Sequence, residues 1–164
     1  MPEKETIERA REDAREGKSP STQAGEFVRE EIHHIREGKH GASSTKQAIA
    51  IGLSKARRAG VKLKVPKKGT TSEETRRAAA RDSRKAKSGG KKKTSARRSR
   101  AMLKRLKREG RSAASPKALA KQARSAAKRR SAASRSASAK KAAKTKGPAK
   151  RRAAAKKGAR TRAR

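Results

Sequence analysis

Residues 30–40 bring Glu30, Glu31, His33, His34, Glu37 and His40 into one short stretch. Imidazole and carboxylate groups are metal donors and proton carriers, so this stretch invites a metal or acid–base reading. The spacing argues the other way. On a helix, the adjacent His33 and His34 point about 100° apart and do not easily share one ion. His40 lies beyond Gly38 and could fold back beside one of them. Nothing pairs the glutamates as acid and base across a cleft. The simpler expectation is solvent-facing histidines, with no metal ligand, no cofactor and no catalytic residue.

Other chemistries fare no better. Asp13 and Asp82 are the only aspartates and no G-x-S-x-G elbow occurs, which disfavours Ser/His/Asp hydrolysis. "GKHGASST" (38–45) is glycine-rich and precedes a helix start, an arrangement that binds anions. It lacks the G-K-[ST] ending of a nucleotide P-loop, and a loop plus a helix cap is the simpler account. The absence of cysteine removes disulfides, thiolate chemistry and sulfur-based metal sites, and fits a reducing compartment. The chain is therefore read as non-enzymatic.

Charge and apolar residues divide the chain of 164 residues unequally. Residues 1–65 hold 14 Lys/Arg and 10 Asp/Glu, a net of +4, whereas residues 66–164 hold 38 and 4, a net of +34. Phe27, the isoleucines and the valines all lie in the first part; the second has Met102, Leu103, Leu106 and Leu119. "VPKKGTTS" (65–72) marks the break with Pro, Gly and Ser/Thr. This predicts a mainly α protein, with a small N-terminal helical module over 1–65 and a low-complexity cationic tail over 66–164.

Within the module, residues 2–16 read as a short helix with acidic residues in its first turn and Gly17 as its stop. A second helix is expected from Pro20 to Glu37, with Ser19 as cap, Pro20 at the first helical position and Gly38 as stop. Ala24, Phe27, Val28, Ile32 and Ile35 fall on one of its faces. A third runs over 44–60: Ser44 with Gln47 makes an S-x-x-Q capping box, and Gly60 ends it. Ala48, Ile49, Gly52, Leu53 and Ala56 share a face, so the second and third helices are expected to pack as a hairpin. So small a core also suggests dimerisation. "VKLKV" (61–65) alternates apolar and basic residues as a strand does, but has no partner strand and reads as an extended linker.

"STKQAIAIGLSKARRAG" (44–60) resembles a segment of small, uncharacterised basic bacterial proteins, of the form S-x-K-Q-A-I-A-I-[AG]-L-S-x-A-R-x-A-G. "REGKHGASS" (36–44) stands where those proteins often carry a Gly- and His-containing stretch. The resemblance covers roughly residues 20–65. It implies a bacterial source and a family without an assigned activity, so it carries over no catalytic residues.

The tail is mostly Ala, Lys, Arg and Ser. Thr71 with Glu74 reads as a capping box before a helix that stops at Gly89–Gly90. Ser95 caps a helix ending at Gly110, and Pro116 sits just inside the start of another. Like charges at i,i+4 oppose these helices in water. With so few large side chains to offset an ordering entropy of roughly 1–2 kcal/mol per residue, the tail is expected to be largely disordered, with nascent helices that form on binding. Residues 138–164 resemble, in composition, the tails of linker histones and of some bacterial histone-like proteins.

Such a charge density matches a polyanion, and duplex DNA is the expected partner, with RNA or the ribosome as the alternative. Aromatics for base stacking are absent from the tail and no zinc-finger spacing occurs, so sequence-independent phosphate neutralisation is the expected mode. The phosphate-binding residues are expected along the tail and on one helix of the module. In the module they are Lys46, Lys55, Arg57 and Arg58. In the first part of the tail they are Lys91, Lys92 and Lys93, then Arg97, Arg98, Arg100, Lys104 and Arg105. Farther on come Lys128, Arg129 and Arg130, then Lys140 and Lys141, and finally Lys150, Arg151, Arg152, Lys156 and Lys157. A third reading places "RRSRAMLKRLKREG" on an anionic lipid surface, although its apolar face has only three large residues. No apolar run reaches the roughly 18 to 20 residues that span a bilayer, and the N-terminus lacks a secretory h-region. A cytoplasmic, nucleoid location is the corresponding expectation.

Overall fold

The computed structural model describes residues 2–87 and 95–162. Seven α-helices and one 3-10 turn account for most of them: α1 Lys4–Arg15, α2 Pro20–Arg36, α3 Thr45–Arg58, α4 Glu73–Lys87, α5 Ala96–Arg108, the turn Ser112–Ala114, α6 Pro116–Lys128 and α7 Ala132–Arg162. Contacts divide the chain into two compact units, Met1–Ala120 and Lys121–Arg164. Among the described residues, no helix is long and apolar enough to cross a membrane.

The local signals of the module produce the expected elements. Pro20 opens α2, and Gly38, at φ +79°, lets the chain leave it with Lys39 N–H bonded back to His34 O at 3.0 Å. Ser44 Oγ accepts the Gln47 N–H at 3.2 Å, and Gly60, at φ +96°, ends α3. The return arm of the box is displaced by one residue: Gln47 Oε1 accepts the N–H of Ser43, at 2.8 Å, rather than that of Ser44.

α2 and α3 pack through small residues. Ala24, Phe27, Glu31 and Ile35 on α2 face Thr45, Ala48, Gly52 and Ala56 on α3, and all eight are buried. Two apolar clusters result. One joins Ala10, Ala24, Phe27 and Ala56, with Ile7, Leu53, Val61 and Leu63 packed against it. Residues 61–65 form neither helix nor strand, and the Leu63 N–H turns back to Val61 O at 2.7 Å; two of their side chains help cover this core instead of serving only as a link. The second cluster joins Ile32, Ile35, Ala42 and Ala48 to Ala113 and Ala114, flanked by Val28 and Leu119.

That second cluster bears on the chain beyond residue 65. The 3-10 turn presses Ala113 and Ala114 into the α2–α3 core, and polar side chains hold it there. Thr45 Oγ1 donates to Ala113 O at 2.7 Å, and Arg36 Nε donates to Ala114 O at 2.9 Å. α4 also returns to the module: Ala79 is buried and Ser54 Oγ donates to Asp82 Oδ2 at 2.5 Å.

The expectation of a largely disordered tail is therefore overturned. The described part of residues 66–164 is mainly helical, from α4 through α7. Ala, Lys and Arg are among the strongest helix formers, and each i,i+4 repulsion costs only about 0.2–0.5 kcal/mol, so propensity prevails over repulsion. Serine caps add to it. Ser72 Oγ accepts from Thr75 N, Ser115 Oγ from Ala118 N and Ser131 Oγ from Ser134 N. The cap of α4 is Ser72 rather than Thr71, and its expected stop at Gly89–Gly90 lies outside the described residues. α7 is interrupted once, where Gly147 adopts φ 65°, ψ 170° before Pro148.

Candidate nucleic-acid interface

Glu109 is the last acidic residue of the chain, so α6 and α7 carry none, and α5 carries none either. On α5, Arg97, Arg98, Arg100, Lys104 and Arg105 are all exposed. So are Lys128, Arg129 and Arg130 around the end of α6, and Lys140, Lys141, Arg151, Arg152 and Lys156 along α7. Lys91, Lys92 and Lys93 lie outside the described residues, as do the side chains of Lys150 and Lys157. On a helix these cations recur on every side, because runs of adjacent basic residues turn by about 100° per step.

The four expected residues of α3 separate. Lys46 and Arg58 are exposed, and the Arg58 guanidinium lies against Ser54, with Nη2 bonded to Ser54 Oγ at 3.0 Å. Lys55 and Arg57 turn inward. Lys55 Nζ stands 3.1 Å from Glu30 Oε1 and 2.7 Å from Glu31 Oε2, both on buried side chains. Burial opposes its charge, but the contacts with Glu31 and then Glu30 prevail and raise its pKa. Arg57 is 9% exposed, and burial lowers its pKa with Asp82 opposing. The open basic edge of α3 is thus Lys46 and Arg58.

Three central amides of the 38–45 loop are already engaged. Gly41 N–H bonds to Leu106 O at 2.8 Å, Ala42 N–H to Gly110 O at 3.1 Å, and Ser43 N–H to Gln47. Leu106 lies in the last turn of α5 and Gly110 just beyond its end, so the loop is pinned to the exit of that helix, where Leu106 O also accepts the Glu109 N–H. Gly41 is required for the approach, since a Cβ there would stand 1.9 Å from Glu109 O. α5 itself buries none of its residues and leaves Met102 and Leu103 exposed. The loop thereby holds a cationic helix by its end while leaving its sides open.

Two of the three histidines also depart from expectation. His33 is exposed, whereas the His34 and His40 side chains are only 13% and 12% exposed. His40 does fold back beside His34, with ring centroids 6.3 Å apart and planes at 83°. Both lie beside the buried Glu30 and Glu31.

Sequence reasoning missed Arg36, Thr45, Ala113 and Ala114, the residues that return the tail to the module. One signal was present: residues 112–116 form an uncharged gap, "SAASP", within a strongly cationic stretch.

Residues 17–69 match a family of unknown function (DUF6496). The matched span holds α2, the 38–45 loop, α3 and the segment after it. No curated protein and no solved structure matches the chain.

Proposed function

We propose that this protein binds duplex DNA without sequence preference, by neutralising phosphates with cationic helices carried on a small helical head. The observation that supports this reading is the exposed Lys/Arg surface of α5 to α7, unrelieved by any acidic residue on those helices. Lysine and arginine at this density release condensed counterions from a phosphate backbone, and arginine adds two-pronged phosphate contacts. No aromatic side chain lies on α5 to α7 to stack on bases, so this reading makes the affinity electrostatic.

The test is a salt titration of binding to random-sequence duplex DNA, comparing the full chain with Met1–Ala120. The fragment keeps Ala113, Ala114 and Leu119, which complete the core of the head. About ten engaged phosphates give a loss of some 10³–10⁵ in affinity between 50 and 200 mM salt. The fragment should bind more weakly and with a shallower slope. Tighter binding to a structured RNA than to duplex DNA at equal salt would reassign the partner to RNA. Salt-insensitive binding, or none to either polymer, would reject the proposal.

A further inference from the structure

We infer that Glu31, His34 and His40 form a binding site for one divalent transition-metal ion, with Zn2+ the natural probe. One donor atom from each lies within 4.8 Å of the other two. Ligands on a tetrahedral zinc ion stand about 3.4 Å apart, so side-chain adjustments of under about 1 Å close the set. Two imidazoles and one carboxylate are a donor set for Zn2+, Co2+ or Fe2+, and solvent fills the remaining positions.

The hydrogen bonds around the histidines point the same way. His40 Nδ1 lies 3.0 Å from Gly41 O, which only accepts, so Nδ1 carries the proton. In the neutral ring the lone pair is then on Nε2, which faces Glu31 Oε1 at 3.3 Å. A lone pair opposite a buried carboxylate oxygen is repulsive unless a cation stands between them. His34 is held in a similar way, but its inner contact is with Glu30. Its Nε2 donates to Glu3 Oε1 at 2.8 Å, which leaves the lone pair on Nδ1, 3.9 Å from Glu30 Oε1. In each ring the outer nitrogen is held by an oxygen and the inner one is open, the arrangement that outer-shell partners impose on metal-binding histidines.

Glu31 supplies the second observation. Its carboxylate is fully buried, and neither oxygen accepts a hydrogen bond of good geometry. The Lys55 ammonium is its close charge, but Lys55 also serves Glu30, so two buried carboxylates share one lysine. A cation on the far side of Glu31 from Lys55 would balance the second carboxylate. A pocket of about 200 Å³ opens beside His34, lined also by Glu3, Glu30, Arg9, Arg29 and Lys39; Glu31 and His40 lie outside its lining.

An ion here would fasten α2, which carries Glu31 and His34, to the loop that carries His40. The next two residues of that loop, Gly41 and Ala42, bind the carbonyls of Leu106 and Gly110. Metal would therefore steady the attachment of α5 to the head.

The experiment is calorimetric titration of Zn2+ into chelator-treated full-length protein, alongside Glu31→Gln, His40→Gln and His33→Ala. One ion should bind per chain. Glu31→Gln and His40→Gln should each weaken it by more than about tenfold, and the exposed His33 should not matter. Histidine NMR on the wild type provides a readout independent of variant folding: Zn2+ should shift the ring nitrogens of His34 and His40 and spare those of His33. Equal affinity in all four proteins, or equal shifts at all three histidines, would overturn the site. So would a wild type that takes up no Zn2+.

Discussion

Gly52 of α3 and Val28 of α2 meet so closely that a Cβ on Gly52 would stand 2.7 Å from the Val28 Cα. The contact is with backbone, which cannot swing aside. The α2–α3 crossing that organises both apolar clusters therefore depends on a missing side chain.

Gly52→Ala should destabilise the head by about 1–3 kcal/mol through overpacking, despite alanine's better helix propensity. Gly25 on α2 has nothing within 4 Å of its Cβ position. Gly25→Ala should therefore stabilise by about 0.5–1 kcal/mol. Denaturant unfolding of the two variants checks both signs, and a shared sign would refute the close approach.

Gly41→Ala should release the end of α5, because its Cβ would collide with Glu109 O and both loop amides would lose their acceptors. Limited trypsin digestion at neutral pH should then cut near residues 104–111 much faster than in the wild type. The circular-dichroism signature of α2 and α3 should largely persist. Unchanged cleavage would mean that the loop does not hold the helix.

Lys55 and Arg58 lie three residues apart and should behave differently. Lys55→Met removes the ammonium from two buried carboxylates and should cost about 3–5 kcal/mol of stability. Arg58→Gln should change stability little, and it should weaken DNA binding with a slightly shallower salt slope. Unfolding curves and salt titrations on both variants separate the roles.

Glu73 gives a pH prediction. The hydrogen bond from Arg76 lowers its carboxyl pKa below the ordinary 4.5. A depressed folded pKa means that the helix support from this pair is present above about pH 4.5 and is lost as pH falls through the lower folded value. A carboxyl NMR titration should place the Glu73 midpoint below 4.5 and move it up in Arg76→Gln. Identical midpoints would remove the pair from any account of α4.

The sequence by itself determined where helices begin and end in the module, and how charge is apportioned along the chain. Pro20, Ser44, Gly38 and Gly60 act through hydrogen bonds and φ values that reach no farther than about one turn, so their effect can be read locally. The helicity of the cationic part was present in its Ala, Lys and Arg content; the error lay in weighing repulsion above propensity. Tertiary structure alone decided three things: that Ala113 and Ala114 return to the α2–α3 core, that Lys55 and Arg57 turn away from solvent, and that His34 and His40 meet beside Glu31. Each depends on partners from other elements. Thr45 and Arg36 offer donors to carbonyls that lie 68 and 78 residues away. Buried carboxylates on α2 draw in a lysine from α3. Such long-range pairings follow from which charges and carbonyls packing removes from water; the uncharged gap at 112–116 marks one partner but does not name the other.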